Sequence, residues 1–159
     1  KVLQVAFPFE PIDQAEALEK VKKGLIDMVC SVTGDYLWDE RNKMYTTRYY
    51  LRAPTMLVRT KQPHAIERIA LQGGYWFSEH VAADHPGKEI IFYKNVRECF
   101  DALLKGDADA VYANVYVTNY LLTERRYESL AATSMSKYTS EICFGISQVC
   151  GPAPALHIG

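Results

Sequence analysis

The side chains best suited to bind a small solute follow segments predicted to be buried strands. Ser31 and Thr33 end an apolar run, where their hydroxyl groups either contact a ligand or cap the strand-to-loop junction. Gly74 and Tyr75 precede a predicted helix whose exposed N–H groups favour an anion, with a plain turn as the alternative. Trp38 offers an aromatic wall typical of solute pockets, with ordinary packing as its alternative role.

Catalytic and metal-binding patterns are much weaker than these binding features. The histidines, at positions 64, 80, 85 and 157, lack the three- or four-residue spacing that places two side chains on one helix face. The sequence contains no GxSxG, HExxH or P-loop pattern and no CxxC pair. We therefore expect no catalytic residue, no metal ligand and no cofactor.

Composition excludes further classes of partner. The net charge of −1 gives no reason to expect nucleic acid or an anionic membrane surface as a partner. No run approaches the roughly 18 apolar residues that span a bilayer. Cys143 and Cys150 either form a disulfide in an oxidising compartment or stay free, so the cysteines do not settle the location of the protein.

Two segments of the chain repeat one pattern. Residues 16–29 and 98–111 align without a gap and share Glu, Lys, Gly, Asp and Val at matching places. In each segment, apolar residues spaced for one face predict a helix, a Lys-Gly pair predicts its end, and an apolar run predicts a strand. Chance similarity is the alternative, but the matched register favours two similar lobes.

The same kinds of pattern assign the rest of the chain. Strands are predicted at 1–7, 26–32, 55–60, 66–71, 89–93, 108–113 and 140–147, and helices at 14–23, 76–83, 96–104 and 115–123. Residues 35–50 are predicted to be irregular. This alternation predicts an α/β protein with mostly parallel sheets flanked by helices, in which ligands bind at the carboxyl ends of strands. Those ends fall at 31–34, 72–75 and 113–116.

Five short motifs occur in an order that resembles a known family. They are KGLIDMV at 23–29, SVT at 31–33 followed by DER at 39–41, TTRYY at 46–50, IALQGG at 69–74 and KGDADAV at 105–111. Together they resemble the family 3 bacterial extracellular solute-binding proteins. The resemblance covers nearly all of the chain and implies the two-lobed periplasmic-binding-protein type II fold, with the ligand in a cleft between the lobes.

The resemblance also implies a division of the chain. Residues 1–57 and 148–159 are expected to form lobe 1, and residues 58–147 are expected to form lobe 2. The family has a strand and a helix before the segment that matches Lys1 and a helix after the segment that matches Gly159. We therefore expect a fragment of a longer protein in which lobe 1 is incomplete.

Two further residues take roles from the family. Arg41 falls where the family places the arginine that grips the α-carboxylate of the ligand, although the segment before it is longer than in typical amino-acid binders. Its alternative role is a surface ion pair with Asp39 or Glu40. Asn114 falls where the family uses an Asp to bind the α-ammonium. Because Asn lacks the charge, the ligand is a carboxylate without an amine, a modified amino acid or a peptide fragment, or the pocket binds no small molecule.

The expected function is binding without catalysis. The resemblance implies a sensor domain outside the cytoplasm that binds an amino acid or related carboxylate and is tethered through the membrane to a signalling output. A homodimer formed through an exposed sheet edge is a further expected partner. The nearest alternative is the substrate-binding protein of an ABC importer, with the permease as partner. A dehydratase-like enzyme and the effector-binding domain of a LysR-type regulator are the remaining alternatives.

Overall fold

The computed structural model describes residues 8–32, 40–74 and 77–149. The elements in chain order are α1 (Gln14–Lys22), β1 (Met28–Val32), β2 (Met44–Thr46), β3 (Leu51–Thr60), β4 (Arg68–Gln72), α2 (Phe77–Asp84), β5 (Glu89–Tyr93), α3 (Val96–Lys105), β6 (Ala110–Asn114), α4 (Val115–Leu122) and β7 (Leu130–Ser147). Residues 40–42 are helical, and a 3₁₀ turn occupies Arg125–Tyr127. The strand predicted at 1–7 lies outside the described residues. No helix in the described ranges is long and apolar enough to cross a membrane.

The strands form a mixed sheet with the order β1-β7-β3-β6-β4-β5, and β2 also pairs with β7. β4 pairs in parallel with β5 and β6, whereas β3 pairs antiparallel with β6 and β7. The predicted α/β class is confirmed, but the described sheet is mixed rather than mostly parallel. The difference arises because β7 runs back along β3, β1 and β2, a pairing between distant residues that local patterns do not encode.

β7 connects the two parts of this sheet. Its first part, Leu130 to Ile142, pairs with β3, and its last residues pair with β1 and β2. The sequence patterns predicted only residues 140–147 of this strand, because residues 131–139 are mostly small and polar. The predicted lobe boundary after residue 57 falls inside β3, and the boundary after residue 147 falls at the end of β7; this division stays a prediction.

The repeated sequence pattern produces the same local structure twice. α1 is followed by Gly24 with φ 68°, and α3 is followed by Gly106 with φ 77°. Glycine suits both positions because this left-handed conformation is strained for a residue with a Cβ. A strand then follows each helix, β1 in the first copy and β6 in the second. The four predicted helices all match the observed ones to within one residue at each end.

The core lies on both faces of the sheet around β4. Ile69 and Leu71 face one cluster, where Val81 of α2 is buried, and Ala70 faces the other, where Phe100 of α3 is buried. Strand side chains alternate between the two faces, so consecutive β4 residues enter different clusters. Packing on both faces holds β4 and β6 in place and thereby fixes the positions of their carboxyl ends.

Close packing of β7 against its neighbours requires a glycine. A Cβ built at Gly145 would lie 2.9 Å from the Sδ atom of Met44 and 3.1 Å from a methyl carbon of Val32. Both of these neighbours are fully buried. A side chain at this position therefore requires the buried side chains of Met44 and Val32 to shift.

Of the described cysteines, Cys30 and Cys99 are free thiols. Burial raises the pKa of Cys99 to about 12, so this residue behaves as an inert part of the core. Cys150 lies outside the described residues. Its disulfide with Cys143 therefore stays a prediction.

Candidate functional site

A cavity of about 290 Å³ lies where the carboxyl end of β6 meets α4, α1 and β1. Six elements contribute its lining residues, which are Gln14, Ser31, Leu51, Asn114, Tyr116, Val117, Ser140 and Ile142. Two of the predicted ligand contacts, Ser31 and Asn114, are thus brought together. Tyr116 falls in the predicted range 113–116, so the rule that ligands bind at strand ends located three of these residues.

Strands β3 and β7 form one wall of the cavity. Leu51 pairs with Ile142, and Ala53 pairs with Ser140. Residues directly opposite each other in an antiparallel pair share a face of the sheet, so Leu51, Ile142 and Ser140 point to the same side. Sequence patterns did not find these residues, because their proximity depends on the register between two strands far apart in the chain.

Ser140 is buried without a hydrogen-bond partner. The residue is 1% exposed, and its Oγ makes no hydrogen bond within the described ranges. A buried hydroxyl left without a partner costs about 1–3 kcal/mol, so such groups are uncommon unless something else satisfies them. Because this hydroxyl belongs to a cavity-lining residue, a bound polar molecule is a natural partner for it.

Asn114 both ends β6 and begins α4. Its Oδ1 accepts a hydrogen bond of 2.9 Å from the backbone N–H of Val117, which is the N-cap bond of the helix. Its Nδ2 donates no hydrogen bond to any part of the chain that the structure describes. The side-chain carbonyl of Asn114, which the sequence suggested as an acceptor for a ligand, therefore already accepts the bond from Val117. The group left for a ligand is the NH₂, which is a donor.

The start of α1 contacts the strand ends across the site. The Nε2 atom of Gln72 donates a hydrogen bond of 3.2 Å to Oε1 of Gln14. One residue earlier, Asp13 forms an ion pair of 2.6 Å with Lys94, which follows β5, and the hydrogen bond to Asp13 raises the pKa of Lys94. These contacts join the segment before β1 to the opposite part of the sheet.

A second cavity, of about 360 Å³, lies beside the first and shares Val117 with it. Its other lining residues are Gln72, Asn95, Val96, Arg97, Tyr120 and Leu121. The guanidinium of Arg97 is already paired with Glu124 through two hydrogen bonds of 2.7 Å. Asn95 is also satisfied, because it exchanges hydrogen bonds with Glu98. The polar side chains of Arg97 and Asn95 are therefore committed within the chain, whereas the buried hydroxyl of Ser140 in the first cavity has no partner among the described residues.

The remaining predicted site residues lie elsewhere. Gly74 is exposed after β4 and has φ 85°, the left-handed conformation of a turn glycine. Arg41 is exposed in the helical turn at 40–42 and is not among the described residues that line either cavity. Thr33, Trp38 and Tyr75 lie outside the described residues. The binding roles of all five stay predictions.

Comparison with known proteins finds similarity only among solved structures. No protein-family model matches the chain, and no curated protein matches it. The chain superimposes on the substrate-binding protein of an amino acid ABC transporter with a TM-score of 0.75 over 88% of its length, at 18% sequence identity. A histidine kinase sensor domain with similarity to periplasmic binding proteins gives a TM-score of 0.74 over 86% of the chain at 16% identity. An ancestral arginine-binding protein bound to arginine gives a TM-score of 0.75 over 89% of the chain, at 19% sequence identity.

The chain spans 65% of the transporter protein, 63% of the sensor domain and 67% of the arginine-binding protein. Sequence identities below 20% carry information about the fold and not about the ligand. The TM-scores are high over most of the described residues, and the order of helices and strands agrees with the sequence resemblance. The chain therefore has the two-lobed α/β fold of the periplasmic binding proteins.

Proposed function

We propose that this chain binds a small solute outside the cytoplasm, as the sensor domain of a signalling protein. The observation that carries the proposal is the cavity of about 290 Å³ in which Ser31, Asn114 and Ser140 meet. A histidine kinase sensor domain shares the fold, which supports the sensor role and the location. Binding of this kind requires no reacting group in the cavity, so the proposal includes no catalysis.

The lining of the cavity suits a solute of about the size of an amino acid. Its volume lies near the lower end of small-molecule pockets, which hold about 300–1,000 Å³. Leu51, Val117 and Ile142 supply apolar surface, while Ser140 and Asn114 supply a few polar groups that can fix the orientation of the solute. Arg41 is exposed and is not among the described lining residues, so its grip on a carboxylate of the solute is a separate part of the proposal, which the Arg41→Ala variant tests.

The proposed signal is closure of two lobes around the solute. We assign residues 1–57 and 148–159 to one lobe and residues 58–147 to the other. The Gln14–Gln72 hydrogen bond and the Asp13–Lys94 ion pair then join the lobes across the cleft. A solute that binds the closed form better than the open form shifts the population toward closure, and an output domain reads that shift.

The second candidate function is delivery of an amino acid to an ABC permease. The amino acid transporter protein and the ancestral arginine-binding protein share the fold to the same extent as the sensor domain. The two functions use the same cavity, so the rest of the full-length gene has to distinguish between them. Transmembrane helices with an output domain support the sensor, and a secretory or lipoprotein signal without them supports transport.

A thermal-shift screen of amino acids, dicarboxylates and short peptides tests the proposal. A solute present at about 100 times its dissociation constant adds about 2.7 kcal/mol to the free energy of unfolding. The Arg41→Ala variant is expected to lose this response, whereas Arg125→Ala, which removes an exposed arginine from the 3₁₀ turn, is expected to keep it. The proposal is wrong if no member of the screen raises the melting temperature of the unmodified chain.

A further inference from the structure

The two carboxamides that line the 290 Å³ cavity both use their carbonyl oxygen in a hydrogen bond within the chain. Oε1 of Gln14 accepts the hydrogen bond from Gln72, and Oδ1 of Asn114 accepts the hydrogen bond from the N–H of Val117. Neither side-chain NH₂ group donates within the described part of the chain. Each amide thus has its carbonyl in use and its donor available.

The other polar groups of the cavity are hydroxyls. Ser31, Tyr116 and Ser140 each supply an O–H, and the Ser140 hydroxyl is buried without a partner among the described residues. The described lining contains no Asp, Glu, Lys, Arg or His side chain. A hydroxyl can turn to donate or accept, but none of these groups supplies the negative charge that an ammonium requires.

The first turn of α4 also lines this cavity. Asn114, Tyr116 and Val117 belong to the cap and the first turn of this eight-residue helix. The start of a helix carries a partial positive charge, which attracts anions and repels cations. The helix start, the two available NH₂ groups and the unpartnered Ser140 hydroxyl therefore favour the same chemistry in a ligand.

We infer that this site selects a solute that presents hydrogen-bond acceptors and carries no ammonium group, namely a carboxylate without an α-amine. The inference rests on the proposed function, because it names the solute class of the same cavity. The ammonium of an amino acid placed here would find no negative charge in the described lining, while both NH₂ groups and the positive end of α4 disfavour it. An amine-free acid leaves both NH₂ groups of the cavity with acceptors to bind.

Pairs of acids that differ only in the amine test the inference directly. We would titrate succinate against aspartate, glutarate against glutamate, and propionate against alanine into the chain by calorimetry. The amine-free member of at least one pair is expected to bind about tenfold tighter or more, a factor that corresponds to about 1.4 kcal/mol. If, in the pair that contains the tightest-binding acid, the amino acid binds as tightly as its amine-free partner or more tightly, the inference is overturned while solute binding stays intact.

The Asn114→Asp variant isolates the responsible group. An Asp keeps the N-cap acceptor for Val117 but replaces the free NH₂ with a carboxylate oxygen. The preference is expected to fall about tenfold or to reverse toward the amino acid. Asn119→Asp adds the same charge at an exposed position of α4 and is expected to leave the preference unchanged. An unchanged preference in Asn114→Asp overturns the inference, and failure of every acid to bind overturns the proposed function with it.

Discussion

The polar side chains at the two ends of β6 differ in how fully they are hydrogen-bonded within the chain. Asp109, just before the strand, is buried and accepts hydrogen bonds from the His64 ring, the Arg68 guanidinium, and the backbone N–H groups of Glu67 and Arg68. Asn114, at the other end, has one partner for its carbonyl and none among the described residues for its NH₂ group. One end is internally complete, and the other leaves capacity for a molecule from outside.

This difference separates a structural role at one end of the strand from the proposed binding role at the other. The Asp109 network fastens the crossover between β3 and β4 to the start of β6, so any loss there should lower stability. Near Asn114, by contrast, the Ser140 hydroxyl is buried without a partner among the described residues, which lowers the stability of the free protein and favours a ligand, while the NH₂ group of Asn114 is open to solvent. Variants at the two ends are therefore expected to move stability and binding in different combinations.

The largest effect is expected from Asp109→Asn. The substitution places an NH₂ donor among groups that all donate, so we expect the free energy of unfolding to fall by about 3 kcal/mol. Asp107→Asn is the matched control, because Asp107 is exposed and a surface change of this kind costs within about 0.5 kcal/mol. Urea denaturation measures both variants. Equal losses in the two would show that the Asp109 network is not a structural anchor.

The same network predicts a pH dependence. Burial alone would raise the pKa of Asp109, but the hydrogen bonds from His64, Arg68 and the backbone of Glu67 outweigh it and hold the pKa below its ordinary value. A carboxyl whose pKa is lower in the folded state stabilises the fold above its ordinary pKa, and that stabilisation is lost as the pH falls below about 4. The free energy of unfolding, measured by urea denaturation at several pH values between about 5 and 2, should therefore decrease less steeply with acid in Asp109→Asn than in the unmodified chain. Parallel slopes would contradict this assignment.

An intermediate effect is expected at the two asparagine caps. Asn95 begins α3 with both ends of its amide bonded to Glu98, and Glu98 in turn accepts a hydrogen bond from the N–H of Lys94. Replacing Asn95 with Ala should cost about 2 kcal/mol, and replacing Asn114 with Ala about 1 kcal/mol, since only one bond is lost there. Thermal unfolding without solute measures the difference. A larger loss at Asn114 would mean that its NH₂ group already has a structural partner.

The smallest effect on stability is expected from Ser140→Ala, and the direction of the change in the free energy of unfolding is the informative result. Removing a buried hydroxyl that has no partner should raise the free energy of unfolding by up to about 1 kcal/mol while weakening solute binding. Ser147→Ala on the same strand is the control, because the Ser147 hydroxyl donates to the carbonyl of Val21 and its loss should cost about 1 kcal/mol. If both variants lose stability equally, the Ser140 hydroxyl is satisfied within the chain.

Local patterns were sufficient to predict the helices and part of the cavity, but they missed β2, which lies in the range 35–50 predicted to be irregular, and the first residues of β3 and β7. Helix periodicity and the Lys-Gly endings depend on neighbouring residues, so α1 and α3 were predicted closely. Ser31 and Asn114 were found because each ends a strand, and strand ends meet at one edge of an α/β sheet. The rule uses only the order of elements, which the sequence displays directly.

Pairing between distant strands was not predictable from such patterns. Residues 131–139 are small and polar and resemble a loop, yet they form a strand because β3 lies alongside them. Ser140 enters the cavity only through that pairing, and Gln14 enters it because α1 contacts β1 and β7. A one-residue change of register would turn Ser140 away from the cavity, and nothing in its local sequence sets that register.

The length of β7 has a consequence for how the chain reaches its native state during synthesis. β1 pairs with the last residues of β7, so that Met28 meets Ile146 across most of the chain. On the ribosome, β1 and β2 must wait without this neighbour until residues 143–147 have emerged, and contacts of such long sequence separation form slowly. Their unpaired edges are meanwhile open to other chains. Correct folding during synthesis would therefore require that β1 and β2 be kept from pairing with other chains until β7 is complete.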